Sequence, residues 1–237
     1  MDREELAREI AGMEWYHRID LGQGLVTPGR DYDFMWNATM QFMDEVDFER
    51  KRVLDIGCWD GLFSFYAERR GASEVVATDL ASHSTFELAA EVLQSKVRFQ
   101  QCSAYRLHEA FAPETFDIVI FNGVLYHLMY PLAALVSIQS VTKETGTLLM
   151  ESAFYNAEHE RPFIFVSYGE DQLYPGDPSS CTFPTPKAFR YMLNMTLFDV
   201  KRENPYHFSG RAGRILFEAQ KRRMTKNDRF YEYMYTV

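Results

Sequence analysis

Residues 53–61 read Val-Leu-Asp-Ile-Gly-Cys-Trp-Asp-Gly, an apolar run ending in a carboxylate and followed by two glycines four positions apart. Glycine lets a backbone approach a ligand closely and adopt dihedrals closed to other residues. A dinucleotide turn carries GxGxxG, so that a pyrophosphate can rest on a helix N-terminus. Here the spacing is GxxxG, and Asp55 ahead of the turn suits a ligand with a positive amino group better than one with a pyrophosphate. The plain alternative is a tight strand-to-helix turn that holds no ligand. A second apolar run, Val75 to Thr78, ends in Asp79. An acid about 20 residues after a nucleotide turn accepts ribose hydroxyls from this place, although aspartate also commonly opens a loop.

Further along, the apolar run 116–121 leads into Asn122-Gly123-Val124-Leu125-Tyr126-His127. A histidine there is a candidate general base for a hydroxyl acceptor, because its ordinary pKa lies near neutrality. It is equally readable as a residue that pins the loop, and Tyr126 either binds or packs. Glu151 ends another apolar run, as a base, an orienting carboxylate or an ion-paired acid. Trp15, Tyr16 and Trp36 can stack on a ligand or close over a cation, or they staple the N-terminal segment to the core. His17, His159 and His207 have no partner spacing and are assigned no chemistry. No clustering of carboxylates, amides or histidines points to a metal.

These residues need a scaffold that gathers the ends of apolar runs. β-rich stretches at 52–56, 74–78, 97–101, 116–121, 146–151, 197–201 and 214–220 alternate with helix-compatible stretches at 62–70, 84–94, 131–141 and 186–193. That alternation predicts an α/β fold with a mostly parallel sheet of seven strands and helices on both faces. Gly71 after Arg69 and Arg70 marks a helix stop, and Pro131 suits a first helical turn. In such a sheet, ligands sit beyond the carboxyl end of the first strand, where the glycine turn falls. Residues 1–50 and the connection 152–185 lie outside the alternation and are rich in aromatics, so both are read as covers over a pocket.

The chain has 237 residues, 46% of them hydrophobic, enough for a full core without dividing the chain at a linker. A net charge of −9 argues against general affinity for a phosphate backbone. Lys221, Arg222, Arg223, Lys226 and Arg229 form a local basic run that reads as a solvated strand end or as a patch. Cys58, Cys102 and Cys181 include no CxxC pair, which fits neither a disulfide scaffold nor a zinc site. Residues 1–10 are charged, and no stretch approaches the ~20 apolar residues of a membrane span. The expectation is a cytoplasmic protein with no membrane partner.

The segment 55–61 resembles the first motif of the class I S-adenosylmethionine-dependent methyltransferases, and 116–127 is similar to their fourth strand and the loop after it. The resemblance covers residues 50–220 and implies the Rossmann-like class I methyltransferase fold over 51–237. On this reading 1–50 is a helical and aromatic N-terminal cover, and 152–185 is a substrate-covering insertion. The resemblance implies S-adenosyl-L-methionine as cofactor, with Gly57, Cys58 and Trp59 lining its methionine part and Asp79 on the ribose, beside Asp55, whose carboxylate is read above as suited to a positive amino group. Ser103 and Ala104 then flank adenine and Asn122 makes a further contact, while Trp36, from its residue type, is the candidate to close over the cofactor's sulfonium.

Residues 123–127, 15–29 and 185–186 look like the tRNA wobble-uridine carboxymethyltransferases and their small-molecule relatives. In those tRNA enzymes a tyrosine, an arginine and lysines hold the carboxylate of a carboxylated cofactor. Tyr126 and Arg214 match the first two, whereas one lysine position falls on Asn37, which speaks against that cofactor. The tRNA enzymes also carry a longer N-terminal region. The expected activity is therefore methyl transfer to an oxygen, nitrogen or carbon of a small molecule, with His127 and Tyr126 catalytic and Tyr16, Glu151 and Arg214 on the substrate. Modification of a tRNA wobble uridine is the alternative, and a cofactor-binding protein without catalysis is the third reading. Assembly into a homo-oligomer stays open.

Overall fold

The structure, a computed structural model, describes residues 2–158, 161–225 and 228. Its large mixed sheet has seven strands, three in a compact unit that ends at Cys102 and four in a second unit that begins at Ser103.

The first unit opens with α1 (Arg3–Ala11), capped by Asp2, whose carboxylate accepts the N–H groups of Glu4 and Glu5. A small hairpin follows, β1 (Asp20–Gly22) with β2 (Leu25–Val26), and then α2 (Asp33–Met43). Met35, Trp36, Thr39, Phe42 and Met43 of α2 are buried at helical spacing, so one face of that helix belongs to the core. Next come β3 (Arg52–Ile56), α3 (Leu62–Arg69), β4 (Glu74–Asp79), α4 (Ser84–Val92) and β5 (Arg98–Gln101). β4 pairs in parallel with both β3 and β5. Parallel neighbours need a crossover, which α3 and α4 supply. α3 stops before Gly71, whose φ of +90° ends the helix as its place after two arginines predicts.

The second unit contains α5 (Leu107–Ala110), β6 (Phe116–Asn122), a 3₁₀ turn at Leu125–His127, and α6 (Pro131–Val141) with Pro131 in its first turn. It continues with β7 (Thr142–Tyr155), β8 (Ile164–Val166), β9 (Thr182–Pro184), α7 (Pro186–Met195), β10 (Phe198–Ser209) and β11 (Ala212–Lys221). Within this unit the strand order is β10-β11-β7-β6, with β6 and β7 parallel and β11 antiparallel to both of its neighbours.

The strand at 52–56 and the helix at 131–141 have the bounds the sequence predicts. β7 runs past both ends of the predicted 146–151, so Glu151 lies inside a strand and not at its end. Its outer half is held by register with β11, in which Ala212 faces Tyr155. The connection after β7 carries its own antiparallel hairpin, Ile164 opposite Pro184 and Val166 opposite Thr182.

Candidate functional site

In the first unit the glycine turn lies between β3 and α3. Gly57 has φ +74° and Gly61 +89°, and a Cβ on Gly61 would stand 2.7 Å from the rings of Phe65 and Phe86. Gly61 is thus required by close packing as well as by its dihedral. Trp59 also has a positive φ, +47°, which is costly for a bulky residue. Two contacts offset that cost: its N–H donates to Asp79 Oδ2 at 3.0 Å, and its indole stacks on the His83 ring at 4.8 Å. The residue is 45% exposed.

Around this turn the unit gathers aromatics from its N-terminal segment. The Tyr16 ring lies 5.5 Å from Trp59, 6.0 Å from Trp36 and 4.8 Å from His17. Tyr16, Trp36 and Trp59, all singled out from the sequence, therefore form one cluster. Trp36 is buried inside it, with its Nε1–H lacking a hydrogen-bond partner. His17 Nδ1 is in the same condition, and burial holds the His17 pKa down at about 3, so that ring is neutral.

Two carboxylates, Asp55 and Asp79, flank the turn. Asp55 is buried and accepts the Ser64 hydroxyl at 2.6 Å. Burial pushes its pKa up to about 7 against that hydrogen bond, and the nearby Asp79 charge adds to the rise. Among the described residues neither Asp55 nor Asp79 forms an ion pair with a lysine or arginine, and His83 stands 3.9 Å from Asp79. Cys58 is buried beside them, and burial together with Asp55 and Asp79 raises its pKa, so it stays a thiol.

In the second unit, Tyr126, His127, Glu151 and Arg214 come together. Arg214 on β11 donates from Nε to Glu151 Oε1 at 2.8 Å and from Nη2 to Oε2 at 2.6 Å, a bidentate pair. Both residues are buried. The Tyr206 hydroxyl donates to Glu151 Oε1 at 2.9 Å, and the Arg214 guanidinium lies over the Tyr126 ring at 4.8 Å. Burial opposes the charge of Arg214, but Glu151 and the neighbouring tyrosines hold its pKa well above the usual value. Burial raises the pKa values of Tyr126 and Tyr174 while Arg214 pulls them down.

His127 contacts Ser179 Oγ through Nδ1 at 3.0 Å and has Asp177 Oδ2 4.0 Å from the same nitrogen. Asn122 pairs with Glu151 across β6 and β7. Ser103 and Ala104 precede α5, where Ser103 Oγ accepts the Tyr105 N–H at 3.3 Å.

Several residues with clear parts in these clusters are not singled out by the sequence. Asp60 is wholly buried and accepts the N–H groups of Tyr16 and His17 and the hydroxyl of Thr85. Tyr206, Asp177 and Ser179 lie on polar stretches that read as loop or strand end. The basic run resolves differently from a free patch. Lys221 pairs with Glu114, Arg222 with Asp228 and Asp199, and Arg223 with Glu144. Lys226 and Arg229, like His159, lie outside the described residues. No group of three or more metal-binding side chains is found among the described residues, and none of their helices is long and apolar enough to cross a membrane.

Residues 54–150 match a family model described as a methyltransferase domain. A tRNA U34 carboxymethyltransferase of Campylobacter hominis is 27% identical over 133 residues, 54% of this chain and 46% of that protein. An uncharacterized methyltransferase of Schizosaccharomyces pombe is 30% identical over 145 residues, 54% of this chain and 51% of its own length. The chain thus spans about half the length of these curated relatives. Among solved structures, the N-terminal domain of EvdMO1, crystallised with SAH and D-fucose, superposes with a TM-score of 0.69 at 16% identity, covering 94% of this chain and 98% of that one. The Burkholderia thailandensis 1,6-didemethyltoxoflavin-N1-methyltransferase, crystallised with 1,6-didemethyltoxoflavin and S-adenosylhomocysteine, gives 0.63 at 17% identity, covering 81% and 80%. These likenesses identify the fold.

Proposed function

We propose that the chain is a class I S-adenosylmethionine-dependent methyltransferase, a reading supported by the methyltransferase-domain match over residues 54–150 and by the fold, and that it transfers a methyl group to an oxygen, nitrogen or carbon of a small-molecule acceptor. One observation carries the cofactor half of this reading. Asp55 and Asp79 flank the glycine turn as carboxylates without a lysine or arginine partner among the described residues, one of them buried with its pKa pushed up to about 7. A ligand that brings an ammonium group and ribose hydroxyls answers both needs at once.

When bound, S-adenosylmethionine supplies an activated methyl carbon, so the protein's work is alignment and exclusion of water. Asp55 attracts the amino group, Asp79 accepts from the ribose, and Gly57, Cys58 and Trp59 lie along the methionine part, with Trp36 closing the aromatic wall. Ser103, Ala104 and Asn122 complete the cofactor's contacts. Tyr16, Glu151 and Arg214 orient the acceptor, Tyr126 positions it and His127 takes its proton. Residues 1–50 and the insertion 152–185 are the covers that keep water out, and Cys58, Cys102 and Cys181, all free, suit a reducing cytoplasm.

The acceptor class rests on electrostatics. Lys221, Arg222 and Arg223 are each engaged by a carboxylate, and the net charge is −9, which supports a small acceptor over a phosphate backbone. Modification of a tRNA wobble uridine is the second reading, favoured by the Tyr126–Arg214 contact and by the curated relatives' activity.

Incubation with methyl-labelled S-adenosylmethionine and a metabolite extract, with total tRNA in parallel, decides between them. Label in a small product supports the proposal. Label confined to tRNA selects the second reading, and calorimetric binding with no label transferred to any acceptor marks a non-catalytic binder.

A further inference from the structure

The segment between β8 and β9 is stitched to the loop that carries His127. Cys181 N–H donates to the Tyr126 carbonyl at 2.9 Å, and the Thr182 hydroxyl donates to the Leu128 carbonyl at 2.9 Å. Between these fastenings and the 3₁₀ turn, Ser179 Oγ lies 3.0 Å from His127 Nδ1 and 2.5 Å from Asp177 Oδ1. The Ser179 N–H also donates to Asp177 Oδ1 at 3.2 Å, which fixes the carboxylate against the serine.

Counting protons assigns the direction of each bond. A serine hydroxyl has one proton, and a carboxylate has none to give. The short, charge-assisted bond to Asp177 takes that proton. Ser179 Oγ then offers His127 only lone pairs, so a hydrogen bond at 3.0 Å requires the proton to be on Nδ1. A neutral imidazole carries a single N–H, which leaves Nε2 bare.

We infer that Asp177 and Ser179 are positioning residues that hold His127 in its Nδ1-protonated form, so that Nε2 presents the lone pair that accepts the acceptor's proton. The ring is kept neutral mainly by burial, with a smaller contribution from the Arg214 charge, while Asp177 and the backbone of Ser179 work in the opposite direction. The ring also packs at 4.0 Å against Tyr126. As an acceptor O–H or N–H is methylated, its proton passes to Nε2, and the resulting imidazolium is stabilised through Nδ1–H, Ser179 and the Asp177 carboxylate. A third group that orients a base is the arrangement by which histidine is made to act through one chosen nitrogen. The catalytic consequence rests on the methyl-transfer reading above, whereas the proton's place on the ring does not.

The test uses the full chain labelled with ¹⁵N, and long-range ¹H–¹⁵N correlation of the His127 ring, assigned by its loss in His127→Gln. In the wild type at pH 8 the Nδ1–H pattern is expected. Ser179→Ala should shift the ring towards Nε2–H, and Ser179→Thr, which keeps the hydroxyl, should restore Nδ1–H. Asp177→Asn removes an influence that raises the His127 pKa, so the acid limb of the kcat/KM profile should move to lower pH. The plateau should fall roughly tenfold in Asp177→Asn and Ser179→Ala, a part of the ~10²–10⁴ that a general base contributes. An Nε2–H wild type, or a tautomer and pH profile untouched by both variants, overturns the inference. Calorimetry with S-adenosylhomocysteine on the same samples separates the two ideas: an Nδ1–H ring in a protein that binds no cofactor upholds the tautomer and sinks the methyl-transfer reading.

Discussion

Asp60 Oδ2 accepts the backbone N–H groups of both Tyr16 and His17, each at 2.7 Å. The carboxylate is wholly buried and adjoins Gly61 of the glycine turn, and it also receives the Thr85 hydroxyl at the start of α4. One side chain therefore fastens the aromatic N-terminal segment to the turn proposed to hold the cofactor. Burial raises the Asp60 pKa against the pull of these three donors, and the donors keep the cost of that burial tolerable.

Removing this anchor should loosen the N-terminal segment. Asp60→Ala takes the carboxylate acceptor from the buried His17 N–H, the part-buried Tyr16 N–H and the Thr85 hydroxyl, at a cost of about 2–4 kcal/mol. Asp60→Asn retains part of the acceptor capacity and should cost less. Urea unfolding measures the loss, and limited proteolysis should show earlier cleavage before residue 30 in the alanine variant.

Asp55 predicts a pH dependence with a definite sign. Its folded pKa, about 7, lies above the ordinary 3.8. Between these values the unfolded chain ionises the group while the folded chain keeps it protonated, so the folded state binds more protons and stability falls as pH rises. The penalty is absent below about 4 and complete above about 7. Asp55→Asn should flatten that fall and weaken S-adenosylmethionine binding by about 10–100-fold, the loss of one charge-assisted contact of ~1.5–3 kcal/mol. Unfolding free energies from pH 4 to 8, with calorimetry at pH 8, test both. A variant that keeps the wild-type slope would show that Asp55 is not its source.

The Glu151–Arg214 pair should behave as a buried ion pair. Glu151→Ala leaves the Arg214 charge buried without its partner and should cost about 3–5 kcal/mol. Glu151→Leu combined with Arg214→Met should recover most of that stability, because two apolar side chains replace two desolvated charges. If the pair orients the acceptor, the double variant should stay folded, still bind cofactor and lose turnover. A double-mutant cycle with parallel kinetics reads out each part.

The two glycines Gly61 and Gly123 separate packing from dihedral strain. Gly61→Ala places a methyl group 2.7 Å from two phenylalanine rings at φ +89°, which should cost about 2–5 kcal/mol. Gly123→Ala meets nothing within 4 Å at φ +74° and should cost only the strain, about 1–2 kcal/mol. Thermal unfolding should rank them in that order, and equal losses would contradict the packing argument.

The elements nearest the glycine turn were legible because their signals are local. An apolar run ending in Asp55 and a glycine turn define β3 and the entry to α3 within a few residues. Pro131 after Tyr130 likewise marks the first turn of α6. β7 was legible only in its apolar middle: at its polar start Thr142 pairs with Phe116 of β6, and the residues after Glu151 are held by pairing with β11, far along the chain. The hairpin of β8 and β9 was hidden for the same reason, since three-residue strands separated by a long polar stretch have no period to read.

By itself the sequence determined the α/β alternation and the place of the turn around Asp55 and Gly57, and it marked Tyr126, His127, Glu151 and Arg214 as candidates one by one. Tertiary structure alone decided who meets whom. Arg214 is the neighbour of Glu151 because β11 lies beside β7 in a register that no local pattern encodes. Asp177 and Ser179 reach His127 because the insertion's hydrogen bonds land on the loop after β6, and Asp60 turns inward because two N–H groups from the N-terminal segment approach it there. Backbone periodicity and turn chemistry act over a few residues, whereas the pairing of buried polar groups depends on strands and loops brought together from 43 to 63 positions apart.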